Sequence, residues 1–181
     1  TQVSVIVETA GTLRGVLTIE QQRNVTSLKI HGPINEDDLK FVNVYLRSLE
    51  TLDLSNAVMN TGVSVNPFQS VLPNTTLRTL IVGELFAEKS WQPKNIDIAY
   101  CMALEEVIFT ANHTCLDESS LERDGWPQRK GVMGAPNLSL VKVHEGVTEL
   151  NLIVESGVYS LYCVCPTVDL PSSLEKVQYL M

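Results

Sequence analysis

A short apolar pattern recurs along this chain and limits what it can fold into. Apolar residues occupy positions 1, 4 and 6 in Val25-xx-Leu28-x-Ile30, Leu49-xx-Leu52-x-Leu54, Leu77-xx-Leu80-x-Val82, Leu104-xx-Val107-x-Phe109, Leu138-xx-Val141-x-Val143, Val158-xx-Leu161-x-Cys163 and Leu174-xx-Val177-x-Tyr179. The interval between copies is irregular, longest from Leu104 to Leu138 and shortest from Val158 to Leu174. Positions 4 and 6 alternate as a strand buried on one face requires. Position 1 fits no strand period and suits a bend into the strand. An ordinary sheet of unrelated amphipathic strands explains the alternation but not the recurrent first residue. Units of this size cannot bury an apolar face alone, so neighbours must stack and the end copies need caps.

The connecting segments differ from one another. Asn35 is placed to cap a helix whose first turn carries Glu36, Asp37 and Asp38, where carboxylates suit the positive end of the dipole. Leu39, Val42, Leu46 and Leu49 follow at helical spacing, which predicts about three turns packed on the strand layer. Residues 1–24, with Val3, Val5 and Val7 alternating before Leu13, Val16 and Leu17, read as an N-terminal cap. Residues 110–137 are polar and broken by Gly125, Pro127, Gly131, Gly134 and Pro136, which marks a loop insertion and accounts for the longest spacing. After the rung at Leu138 the chain turns at His144-Glu145-Gly146 and presents a second apolar strand through Val147 and Leu150. A coil with two flat sides follows. The expected architecture is a single domain over 1–181, an α+β repeat solenoid with an N-terminal cap and a strand layer.

Several of these segments resemble a known family. Leu138 to Leu150 is similar to the LxxVxLPxxVxxI unit of BspA-like leucine-rich repeats, and Ala99-Tyr100-Cys101-Met102-Ala103-Leu104 resembles their AFxxCxxL element. Ala10 to Leu13, Val25 to Asn35 and Leu49 to Ser55 resemble the capping region of Bacteroides-type surface proteins with these repeats. Leu161-Tyr162-Cys163 with Pro166-Thr167 resembles the end of such arrays. The resemblance covers most of the chain outside 110–137. It implies a bacterial cell-surface or secreted protein that is noncatalytic and serves adhesion or partner recognition.

Composition narrows the field independently. The chain has 181 residues, enough for a core that needs no disulfide or structural metal. Its 21 acidic and 13 basic side chains give a net charge of -8, and the scattered Lys and Arg argue against a nucleic-acid partner. The longest apolar run, Ile98 to Leu104, is far short of the roughly 20 residues a spanning helix needs. The first residue is Thr1, which suggests a processed or trimmed chain.

No phosphate-cradling glycine loop, HExxH or GxSxG motif occurs, so no catalytic residue and no cofactor is assigned. Glu105-Glu106 and Asp37-Asp38 read as solvated or capping carboxylates, because strand neighbours point to opposite faces. His31, His113 and His144 read as surface histidines without a base–nucleophile spacing. Cys101, Cys115, Cys163 and Cys165 with His113 are spaced too tightly for a usual zinc set, so no metal is expected. A Cys101–Cys115 disulfide and four buried thiols both remain open. Asn24, Asn74, Asn112 and Asn137 carry the N-x-Ser/Thr pattern, which matters only in a eukaryotic secretory pathway.

Positions 3 and 5 of each rung should point outward. They read Ser27/Lys29, Thr51/Asp53, Thr79/Ile81, Glu106/Ile108, Leu140/Lys142, Ser160/Tyr162 and Lys176/Gln178, a nearly charge-balanced face. Ile81, Ile108, Leu140 and Tyr162, with Lys142 and Asp53, form the candidate partner-binding face for a protein or a glycan at the cell surface. The competing possibility is that residues 110–137, with Trp126 and Leu121, fold over it. A structural spacer or capping segment of a larger array is the alternative function. Self-association through the terminal strand at Tyr179-Leu180-Met181 belongs to that reading.

Overall fold

A computed structural model of the chain describes residues 1–59, 74–84, 96–97, 101–111, 132–133, 137–153 and 167–180. Seven strands form one sheet in chain order: β1 (Gln2–Ile6), β2 (Ser27–Ile34), β3 (Thr51–Met59), β4 (Thr79–Val82), β6 (Glu106–Phe109), β8 (Leu140–Val143) and β10 (Thr167–Asp169). Every pairing in it is parallel, which makes the class α/β rather than α+β. Register partners Gln2, Ser27, Thr51, Thr79, Glu106, Leu140 and Thr167 recur at a nearly even interval, longest between Glu106 and Leu140. Parallel neighbours require a crossover, and intervals this short leave little room for one.

The pattern at positions 1, 4 and 6 explains the core directly. Leu28, Leu52, Leu80, Val107 and Val141 lie side by side at position 4, and Val25, Leu49, Leu77, Leu104 and Leu138 at position 1, all buried. Position 1 is buried because hydrogen bonding begins one residue ahead of the strands. Glu50 N donates to Thr26 O, Arg78 N to Glu50 O, Glu105 N to Arg78 O and Ser139 N to Glu105 O, each at 2.8–2.9 Å. The lead-in bends are thus stacked on each other as regularly as the strands.

Residues 1–24 do more than cap. Their β1 pairs with β2, aligning Val3 with Leu28 and Val5 with Ile30. Helices α1 (Leu13–Val16) and α2 (Ile19–Asn24) follow, burying Leu13 and Leu17 but leaving Val16 exposed. Helix α3 (Glu36–Tyr45) starts at Asn35, whose side chain accepts from Asp37 N and Asp38 N in a capping box. It ends before Leu46, which with Leu49 belongs to the following turn.

A second set of strands lies after the turns. Gly146 takes φ +94° in the turn after β8, and β9 (Glu149–Ile153) then pairs in parallel with β11 (Lys176–Leu180). Strand β7 (Val132–Met133), within the expected insertion, pairs with β5 (Ile96–Asp97) and approaches β9. Lys176 lies as far along the chain from its partner Glu149 as Thr167 does from Leu140. The last copy of the sequence pattern therefore lies elsewhere than expected. Leu174-xx-Val177-x-Tyr179 repeats Val147-xx-Leu150-x-Leu152 and belongs to the second strand set, so Lys176 and Gln178 leave the outward face of the main sheet. Its seventh strand is Thr167–Asp169, with Val168 beside Val141. Val158, Leu161 and Cys163 lie outside the described residues. No helix among the described residues is long and apolar enough to cross a membrane.

Candidate functional site: the outward sheet face

Because the strands are in register, alternate side chains line up across the sheet in rows. One row runs Ser4, Lys29, Asp53, Ile81, Ile108, Lys142, Asp169, and the row beside it runs Gln2, Ser27, Thr51, Thr79, Glu106, Leu140, Thr167. Ile81 and Ile108 are thus direct neighbours, and Leu140 sits diagonally from Ile108. All three are half-buried, whereas Leu80, Val107 and Val141 between them are fully buried. Lys142 is exposed beside Ile108. Tyr162, Trp126 and Leu121 lie outside the described residues.

Asp53 anchors one end of the row. Lys29 Nζ lies 3.2 Å from Asp53 Oδ2, and Ser55 N donates to Asp53 Oδ1 at 2.9 Å. Burial pushes the Asp53 carboxyl up, but the Ser55 hydroxyl and backbone N–H and the Lys29 ammonium outweigh it and hold the group below its ordinary 3.8. The other end differs. Lys142 and Asp169 are both exposed register neighbours, and no ion pair joins them among the described residues.

The structure also brings together residues whose sequence separation hides them. Ser4 Oγ lies 3.2 Å from His31 Nε2, and Asn56 Nδ2 lies 3.2 Å from His31 Nδ1. His31 therefore has two side-chain partners that its sequence spacing did not indicate. The cause is a bulge: Lys29 faces Asp53 but His31 faces Asn56, so β3 gains one residue there. Only the recurrence of the apolar pattern signalled the neighbouring strand; nothing in the sequence marked the bulge. The connectivity is nucleophile, imidazole, orienting group, yet the amide nitrogen facing Nδ1 is a donor. With that amide orientation the matching tautomer would carry its proton on Nε2 and donate to Ser4 Oγ, an arrangement that does not set up a general base.

Other candidates resolve simply. Asp38 is a capping carboxylate, as expected, and also accepts from Gly11 N and Leu13 N at 2.7 and 2.9 Å. Asn74 is buried, accepting from Thr76 N and Leu77 N and donating to Asn43 Oδ1, so its N-x-Thr pattern serves a turn. Cys101 is fully buried, while Cys115, Cys163, Cys165 and His113 lie outside the described residues. Among the described residues no group of three or more His, Cys, Asp or Glu side chains is placed to hold a metal ion. Comparison with known families and curated proteins finds no family model that matches the chain and no similar curated protein.

Proposed function

We propose that this chain is a noncatalytic binding module of the leucine-rich-repeat solenoid type, in which the outward sheet face contacts a protein or glycan partner. The observation that carries the reading is the aliphatic cluster of Ile81, Ile108 and Leu140 on the face turned away from the core. Parallel strands that follow chain order at a nearly even interval support the repeat type, and such arrays present continuous surfaces for recognition. In this reading the module belongs to a bacterial cell-surface or secreted protein and acts in adhesion.

Substitution separates surface from core. Ile81→Asp and Ile108→Asp should abolish retention in a screen against immobilised glycans and host extracellular proteins while leaving the melting temperature close to wild type. Leu80→Asp buries a charge beside them and should unfold the chain. If Ile108→Asp melts as early as Leu80→Asp, the face is core and the reading fails.

A further inference from the structure

Across the six strands from β2 to β10 the outward row is Lys29, Asp53, Ile81, Ile108, Lys142, Asp169, and its remaining member, Ser4 on the edge strand β1, is uncharged and overhangs these six. This row is its own electrostatic complement. Reversed, it sets Asp169 against Lys29, Lys142 against Asp53 and Ile108 against Ile81, and the pairings repeat on the other side of the midpoint between β4 and β6. Every cation meets an anion, and isoleucine meets isoleucine. A twofold axis parallel to the strands, between β4 and β6, produces this reversal when two sheets pack face to face. The neighbouring row obeys the same axis without opposing like charges: Ser27 faces Thr167, Thr51 faces Leu140 and Thr79 faces Glu106.

We propose that this face is occupied by a second copy of the chain in an isologous dimer. The inference rests on the reading above that the face is a contact surface, and it names the partner. Each end of the interface becomes a cluster of four alternating charges. Lys29 and Asp53 contribute their 3.2 Å pair, and the other copy contributes the exposed Asp169 and Lys142. Six strands at about 4.8 Å and four residues at about 3.3 Å give on the order of 400 Å² per copy. Twice that is below the roughly 1,200 Å² of a stable interface, so the dimer is weak and concentration-dependent. Opposed surface charges also make it weaken with salt.

Sedimentation velocity over a concentration series, at low and high salt, tests this. The wild-type chain should shift from monomer to dimer with concentration and revert with salt. Lys142→Asp places two carboxylates against each other twice around the axis, and Asp53→Lys does the same with ammonium groups. Each variant alone should stay monomeric, yet their equimolar mixture should dimerise, because every opposed pair is again of opposite sign. If Asp53→Lys does not fold, Asp169→Lys mixed with Lys29→Asp gives the same test at the outer pair. A wild-type chain that is monomeric throughout, or a dimer that survives the swaps or Ile108→Asp, overturns the inference. A monomer that still binds a glycan or protein through Ile108 refutes the dimer but keeps the contact face. An Ile108→Asp variant that unfolds like Leu80→Asp refutes both.

Discussion

Gly32 follows His31 at φ +94°, and a Cβ there would lie 2.3 Å from the Val7 carbonyl oxygen. Gly146 has the same φ with nothing within 4 Å of the added carbon. The pair separates backbone strain from collision. Gly146→Ala should cost about 1–2 kcal/mol, the left-handed penalty alone. Gly32→Ala adds a backbone clash to that penalty and should lose clearly more, about 3 kcal/mol or above, in denaturant titration. Asp53 makes a different residue-scale prediction. Its folded carboxyl is held below 3.8, so it contributes stability that is fully present above the unfolded value and lost as pH falls through the folded one. Wild type should therefore exceed Asp53→Asn in stability at about pH 6, with the gap closing progressively below about pH 4. A gap that persists undiminished at the acid end would assign the stabilisation to something other than the charge.

At the scale of elements, α3 depends on one buried carboxylate. Asp38, 2% exposed, accepts from Gly11 N, Leu13 N and Asn35 N, so it joins the N-terminal segment to the helix start. Asp38→Ala strands donors in both segments and should cost about 3 kcal/mol or more, whereas Asn35→Ala loses a cap worth about 1 kcal/mol. Thermal or urea unfolding of the two variants checks the order. The cap was legible in the sequence because Asn35 and Asp38 sit within one turn of each other. Its tie to Gly11 was not, since that contact joins segments far apart in the chain. The same distinction holds for the sheet. Five rungs from Val25 to Val143 were legible because burial of positions 1, 4 and 6 writes itself into the residue types. The seventh strand was missed because Thr167 and Asp169 face outward, leaving Val168 as the one apolar residue of the strand. The second strand set misled because its strands alternate too, so Leu174 to Tyr179 imitates a rung. On the outward face, Ile81, Ile108, Leu140 and Lys142 fall where the period puts them, while the Ser4, His31, Asn56 chain depends on a bulge the period cannot encode.

For the whole molecule, the sheet order β1-β2-β3-β4-β6-β8-β10 means that each strand pairs only with its predecessor and its successor in that order. On the proposed repeat reading, stability is close to a sum of nearest-neighbour terms, so it should vary along the chain rather than being shared evenly. The N-terminal end has additional cover. There α1 and α3 pack against each other and Leu13, Leu17, Leu39, Phe41 and Val42 join the core. At the other end β10 is a short strand with half-buried Val168, and the turn after it is linked through Ser172 N and Ser173 Oγ to Glu145 and Gly146. Protection in native-state hydrogen exchange should therefore peak in β2, β3 and β4 and fall through β8 to β10. Leu80→Ala, with neighbours on both sides, should lower the exchange free energy of β3 and β6 by about 2–4 kcal/mol. Val168→Ala should cost under about 1.5 kcal/mol and act only on β8 and β10. Equal protection in all seven strands, or a Val168→Ala effect reaching β2, would show one cooperative block in place of a nearest-neighbour stack.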